Sequence, residues 1–234
     1  ADRNQEAPVP VGYHHREGPL GRVFDIFHAN PSTNRVAVVG LGAGTVAAYG
    51  KPGQTFSFYE IDPAVVRMAK NEEWFTYLKH CRAQLELILG DGRVMLAKAQ
   101  DHSYGLIILD AFSSDAIPAH LLTKQAIELY LAKLSDDGLI ACNITNRHVD
   151  LRPILAAAAH DLDLVAIERR DLSPTPEEIL RGRQPTHWIV FARNDAALGD
   201  MPNTPGWARL LARPGDLAWT DDFSDILSVL VWID

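Results

Sequence analysis

Two glycine and acid clusters and a third acidic loop hold the residues of this chain best suited to chemistry. The first cluster is the turn Val38-Val39-Gly40-Leu41-Gly42-Ala43-Gly44-Thr45, answered by Tyr59-Glu60-Ile61-Asp62. The second, Leu89-Gly90-Asp91-Gly92-Arg93, lies fifty residues further on. The third is Asp110, which closes the apolar run Gly105 to Leu109 and opens a loop carrying a second acid, Asp115. A glycine-rich turn between a strand and a helix lets a ligand approach the backbone closely. Gly40, Gly42 and Gly44 give G-x-G-x-G, with Thr45 at the third glycine position of the dinucleotide fingerprint, so the spacing disfavours a pyrophosphate cradle. Glu60, at the end of the next strand, is placed to accept both ribose hydroxyls, with Ile61 against an adenine face. Asp91, flanked by Gly90 and Gly92, is placed to accept the adenine amino group. Together these read as a site for a nucleoside of the S-adenosylmethionine type, which makes the chain a transferase. Without a ligand, the same glycines are plain turns, Glu60 is a solvated acid, Asp91-Gly92 is a turn and Asp110 is a cap.

These side chains need elements to position them, and the pattern supplies a series. Arg35 to Val39, Gln54 to Glu60, Leu85 to Leu89, Gly105 to Leu109, Leu139 to Asn143, Leu164 to Glu168 and His187 to Ala192 read as strands. Helices are predicted from Asp62-Pro63, near Val94–Ala99, over Thr123 to Leu134 and near Leu151–His160. Alternation of this kind predicts an α/β fold, a doubly wound, mostly parallel seven-stranded sheet covered on both faces. In such sheets, ligands bind at the carboxyl ends of the strands, where all the acids above fall. Three segments follow: 1–34, rich in Pro, Gly and His and without strong periodicity; 35–193, the nucleoside-binding domain; and 194–234, a tail with three of the five tryptophans that packs against it. Residues 171–186, polar and proline-rich, are expected to be a mobile loop.

Bulk composition narrows the partners. The 234 residues carry a formal net charge of -8, with 47% hydrophobic and 22% charged residues, an ordinary globular balance. A nucleic-acid binder normally shows a basic face, so nucleic acid is disfavoured, while a small cationic substrate is permitted. Cys81 and Cys142 fit no metal spacing and no disulfide framework, which predicts a reducing, cytoplasmic setting and no metal. No apolar run reaches membrane-spanning length, so no membrane contact is expected of this chain itself; a membrane segment in a longer parent protein is compatible with its polar start.

The chain resembles the polyamine aminopropyltransferases, the spermidine synthase family, from about Tyr13 to Asn143. The likeness is carried by Tyr59-Glu60-Ile61-Asp62, by Gly90-Asp91-Gly92-Arg93 and by Asp110 onward. Tyr13-His14-His15-Arg16-Glu17-Gly18-Pro19-Leu20-Gly21, Asp110-Ala111-Phe112-Ser113-Ser114-Asp115-Ala116-Ile117-Pro118 and the tail Trp219-Thr220-Asp221-Asp222-Phe223 are similar to the spermidine-synthase-like domains that bacteria often fuse to membrane transporter-like segments. The resemblance implies a Rossmann-like, class I methyltransferase fold and a donor of the S-adenosylmethionine type, normally decarboxylated. It implies Glu60 for the ribose, Asp91 for adenine and Asp110 as the acid that takes a proton from the attacking amine. It puts Asp115 in the gatekeeping loop and Tyr13 in the amine pocket, with Asp222 a second candidate anchor for a distal ammonium. His14 and His15 fall where they would serve as base or substrate contact, or else as polar surface. His120, His148, His187, Tyr130 and the tail tryptophans read as structural. The family assembly implies a homodimer.

The chain departs from the family pattern in three places. Ala43 stands where the family has an aspartate for the donor's aminopropyl nitrogen, which opens the donor to intact S-adenosylmethionine and the function to methyl transfer. The spacing from Asp110 to Asp115 is two residues longer than in the family motif. The N-terminal hairpin region is mostly absent. A domain that binds a nucleoside without catalysis is the third reading.

Overall fold

The computed structural model describes residues 8–30, 34–111 and 118–231. Its first element is helix α1 (Pro19–Ala29), which the sequence reading missed. Its signal is the spacing of Leu20, Val23, Phe24 and Phe27, all buried on one face, with Pro19 in the first turn where a missing amide costs nothing.

Strands β1 (Arg35–Val39), β2 (Thr55–Glu60), β3 (Gln84–Leu89), β4 (Tyr104–Leu109) and β5 (Leu134–Asn143) pair in parallel. Helices α2 (Pro63–Ala69), α3 (Gly92–Leu96), α4 (Lys124–Lys133) and α5 (Arg152–Asp161) connect or cover them. β6 (Val165–Asp171) and β7 (Thr186–Ala192) flank helix α6 (Pro176–Leu180), and β7 runs antiparallel to both β5 and β6. The sheet order is β3-β2-β1-β4-β5-β7-β6-β8. This is the α/β, mostly parallel, doubly wound sheet that the alternation predicts. Among the described residues it has eight strands rather than seven, because β8 (Trp207–Arg209), drawn from the tail, pairs antiparallel with β6. Three residues with two exposed side chains carry too little period to be read from sequence.

Two apolar cores sit on the two faces. One joins Ile107, Leu109, Ile127, Tyr130, Leu155 and Trp219 beneath α3, α4 and α5. The other joins Phe24, Phe56, Phe58, Ile108, Trp188 and Trp207 beneath α1 and α2. β4 is buried along all six residues, as a central parallel strand requires. The chain reverses direction of build between β1 and β4, which opens a crevice at their carboxyl ends. No helix among the described residues is long and apolar enough to cross a membrane.

Segment 171–186 corrects the expectation of a loop. β6 continues to Asp171, Thr175 and Glu178 form a reciprocal capping box at the start of α6, and β7 begins at Thr186. Arg183 is buried and pairs with both Asp171 and Glu178. The polarity that reads as a loop is consumed inside the segment by these caps and ion pairs.

Candidate active site

The glycine turn after β1 is shaped by backbone proximity. Gly40 has φ +97°, and a Cβ there would lie 2.4 Å from the Asp110 carbonyl oxygen, so only glycine brings the ends of β1 and β4 this close. Gly44, at φ +78°, closes the turn against Leu78. Gly42, at φ +52°, has nothing within 4 Å of where a side chain would begin. The turn therefore offers open, side-chain-free backbone where a ligand would lie. A short 3-10 turn, Thr45–Tyr49, follows in place of a longer helix and is wholly buried.

Glu60 ends β2 and is held on both oxygens. The Leu41 amide donates to Oε2 at 3.0 Å and the Asp62 amide to Oε1 at 2.9 Å. The glycine turn and the acid are thus one rigid unit, and each carboxylate oxygen keeps a further lone pair for a hydroxyl. Ile61 beside it is exposed at 67%, an apolar surface without a protein partner to cover it. Asp62 caps α2 through the Ala64 amide at 2.7 Å.

Asp110 is enclosed, its side chain only 8% exposed. Asn143, at the end of β5, donates to Oδ1 at 2.8 Å. The Asn143 oxygen accepts from the Thr145 amide, which fixes which way the side-chain amide faces. His14 Nε2 lies 2.6 Å from Oδ2, and the His14 carbonyl accepts from the Tyr49 hydroxyl at 2.7 Å. Tyr13 packs its ring at 4.2 Å from the His14 ring. The nearby Asp110 charge, with burial, pushes the Tyr13 phenol well above its ordinary range, so it stays a neutral donor.

These groups share one open cavity of about 490 Å³. The glycine turn forms one wall, through Leu41, Gly42, Ala43 and Thr45. Tyr13, His14 and Asp110 form another, and Gly182 with Gln184 close a third side. The last two reach the cavity because the Gly12 amide donates to the Gly182 carbonyl at 2.6 Å. The N-terminal segment and the α6 segment are therefore clasped together over the crevice.

Asp91 stands apart from that cluster. It caps α3 by accepting from the Val94 amide at 2.9 Å, and its other oxygen meets His120 Nε2 at 2.8 Å. Burial pushes the Asp91 carboxyl up, but the Val94 amide and the His120 ring hold it below the usual carboxylate range. Gly92 is required by packing, since a Cβ there would lie 2.4 Å from Val39. Arg93 reaches the other way, to Asp221, with two bonds of 2.7 Å. Asp222 lies in the exposed turn from Thr220 to Phe223 and does not line the cavity. Asp115 lies outside the described residues.

The structure thus brings Tyr13, His14, Asp110, Gly40 and Gly42 together, with Glu60 on the flank. Sequence reasoning missed Asn143, Gln184 and the Arg183 clasp. Asn143 has a readable signal, an amide ending the strand after the Asp110 strand; the clasp has none, because its partners are set by tertiary pairing. His187, read as structural, is buried and bonded to Glu168 at 2.7 Å.

No family model matches the chain. A polyamine aminopropyltransferase of Vibrio vulnificus (strain CMCP6) is 32% identical over 119 residues, which covers 49% of this chain and 38% of that protein. Over about half of its length the chain is thus similar in sequence to a polyamine aminopropyltransferase. A probable spermidine synthase from Corynebacterium glutamicum ATCC 13032 superposes with a TM-score of 0.59 at 20% identity, over 87% of this chain and 78% of that one. The spermidine synthase from Thermotoga maritima gives 0.56 at 13% identity, over 90% and 69%. A spermidine synthase in complex with the transition-state analogue AdoDATO gives 0.55 at 14% identity, over 76% and 60%. At these identities the structures establish a spermidine-synthase-like fold, and the curated relative carries the sequence likeness. The match spans less than two-fifths of that relative's length.

Proposed function

We propose that the chain transfers an aminopropyl group from decarboxylated S-adenosylmethionine to a small polyamine and releases methylthioadenosine. The observation that carries this reading is the enclosed Asp110 carboxylate beside the glycine turn, in a cavity with no lysine or arginine on its described walls. A cavity of that kind favours cationic guests. Both the sulfonium donor and an alkyl ammonium, whose pKa lies at about 10, are cations.

The residues suit the donor as far as they go. Gly42 leaves backbone open, Glu60 keeps lone pairs for ribose hydroxyls, and Ile61 presents apolar surface for adenine. Asp91 is the proposed adenine contact, with one oxygen shared with the exposed His120 ring. The acceptor enters as an ammonium and must attack as a neutral amine. Asp110 holds it by charge, favours loss of its proton and aligns the nitrogen. The nitrogen lone pair then forms the N–C bond as the C–S bond breaks, and the electron pair stays on sulfur. Tyr13 and His14 line the amine side, and Asp115 is the proposed anchor for the distal ammonium.

A second reading, methyl transfer from intact S-adenosylmethionine, is favoured by Ala43, which puts no charge beside the donor's propyl chain. It is opposed by the absence of a lysine or arginine on the described walls to receive that donor's carboxylate. Incubation with putrescine and each donor in turn separates the two. Methylthioadenosine formed only when amine is present supports aminopropyl transfer; S-adenosylhomocysteine overturns it in favour of methyl transfer. Binding without either product identifies a nucleoside-binding domain without catalysis.

A further inference from the structure

The cavity is uneven in charge. Asp110 is the one carboxylate on its described walls, and its side chain is nearly buried. The mouth is apolar instead. Val11 lines the cavity from the N-terminal segment and is also 46% exposed, so it stands between the interior and solvent. Gly182 faces it from the α6 segment. A Cβ on Gly182 would lie 3.0 Å from Val11 Cγ1, so the valine rests against bare backbone. Val9, two residues back along the chain, is exposed, and so are Ile179 and Leu180 at the end of α6. The Ile179 carbonyl accepts from the Gly182 amide at 2.9 Å, which ties that end of α6 to the cavity wall. α6 buries none of its five residues. The acids of this segment are already paired: Glu177 with Arg181, and both Glu178 and Asp171 with Arg183. Gln184 completes the rim as a neutral group, with its side-chain oxygen 3.5 Å from where a Gly12 Cβ would stand.

We propose that the amine acceptor carries an apolar extension, an alkyl chain longer than that of putrescine, and that Val11, Gly182 and Ile179 form the subsite along which it lies. The inference rests on the transferase reading above and adds the chemical class of the acceptor. The reacting nitrogen sits at Asp110, and the methylenes run outward between the N-terminal segment and α6. Uncovered apolar side chains continuous with a cavity mark what the cavity takes. The paired acids offer a second ammonium no free carboxylate in residues 171–184, so this side rewards carbon rather than charge. A neutral rim also lets methylenes pass without stripping water from an ion. Each methylene withdrawn from water adds a favourable increment, so the mouth selects for chain length while Asp110 selects for the amine.

The test is a series of acceptors given to the native protein with decarboxylated S-adenosylmethionine: putrescine, hexamethylenediamine, octamethylenediamine and n-octylamine. Expected is a rise in kcat/KM of about twofold per added methylene, the increment for partly covered carbon, carried by KM with kcat nearly constant. The n-octylamine, which has no second charge, is turned over at least as well as putrescine. The double variant Val11→Thr, Ile179→Thr keeps the branched shapes and makes the mouth polar. It should lower the kcat/KM ratio of n-octylamine to putrescine by about tenfold, with methylthioadenosine affinity within about threefold of native as the check on folding. A flat or falling series overturns the proposal, as does an inert n-octylamine or an unchanged ratio in the folded variant. Failure of the underlying reading looks different. Native protein that yields S-adenosylhomocysteine and methylated amine from the intact donor overturns aminopropyl transfer and leaves the length series in force on that product. Native protein that turns over none of these amines with either donor overturns both.

Discussion

At Asp110 the geometry makes a single-atom change informative. Asp110→Asn keeps the size of the side chain and removes the charge that faces His14 and that, in the proposed reaction, draws the ammonium in. We expect kcat to fall by about 10²- to 10⁴-fold, the range for disabling acid–base machinery, with methylthioadenosine binding nearly unchanged. Native kcat in this variant removes Asp110 from the mechanism. Ala43 is the complementary residue. It lines the cavity on the wall formed by the glycine turn, the proposed donor side, and Ala43→Asp places a carboxylate there. That charge attracts an aminopropyl ammonium and repels the carboxylate of an intact donor. A shift of about tenfold in the ratio of kcat/KM values toward the decarboxylated donor corresponds to about 1.4 kcal/mol. An unchanged ratio shows that the donor's chain does not pass Ala43. Gly40 tests the link between the two strands. Gly40→Ala meets the Asp110 carbonyl at 2.4 Å and also loses its freedom at φ +97°. The left-handed backbone alone costs a non-glycine residue about 1–2 kcal/mol, so both melting temperature and turnover should drop.

Among the elements, the segment from β6 to β7 connects packing to the site. Arg183, 8% exposed in its side chain, ties Asp171 to Glu178 and so holds α6 against the sheet. Its neighbours Gly182 and Gln184 pair with Gly12, one residue before Tyr13 and two before His14. Arg183→Met removes a shared cation from both acids, leaving Asp171 with Arg169 at 3.4 Å and Glu178 with its bonds to Thr175, and should lower the melting temperature modestly. We expect kcat to fall more than nucleoside affinity, since the clasp positions Tyr13 and His14, on the proposed amine side, and not Glu60. Equal losses in both would assign the clasp to folding alone. The same comparison explains what was legible in the sequence. β1, β2, β4 and β5 announce themselves as apolar runs ending in Gly40, Glu60, Asp110 and Asn143, because a central parallel strand is buried on both faces. The glycine turn is legible for the same reason that it is required, a backbone approach no side chain permits. The α6 segment is not, because its prolines, arginines and glutamates satisfy one another across twelve residues, a pattern that local composition reports as a loop. β8 is too short to carry a period. His14 is visible as a residue type, but its meeting with Asp110 spans 96 positions and depends on the clasp.

For the whole molecule, the tail decides how the turn that carries Asp91, the proposed nucleoside side, is held. After β7 the chain crosses to pair β8 with β6, buries Trp219 in the core beneath α4, and offers the Trp219 carbonyl to the Lys124 amide at 2.7 Å. Asp221 then takes both nitrogens of Arg93 and the hydroxyl of Thr123, which itself caps α4. One acid from the tail so joins the start of α4 to the Gly-Asp-Gly-Arg turn that carries Asp91. The Arg93 guanidinium beside Asp221, with the Thr123 hydroxyl, lowers its carboxyl to about 2. A folded pKa below the ordinary value of 3.8 contributes stability that is present above that value and is lost as pH falls through about 2. Asp221→Asn should therefore melt lower than the native protein at neutral pH. The gap should shrink as pH falls from about 4 and close only below about 2, where both chains carry a neutral side chain at this position. Asp221 is partly solvated, so the effect is a modest shift in melting temperature, and it should shrink further in high salt. A gap that persists unchanged to the acid limit means the hydrogen bonds matter and the charge does not. The functional consequence separates the two ends of the crevice. Loosening the Arg93 anchor frees the turn that bears Asp91, so Asp221→Asn should weaken methylthioadenosine binding while the His14–Asp110 end, held by the separate clasp, keeps its kcat at saturating donor. Loss of kcat with affinity intact would show that the tail supports the amine side instead.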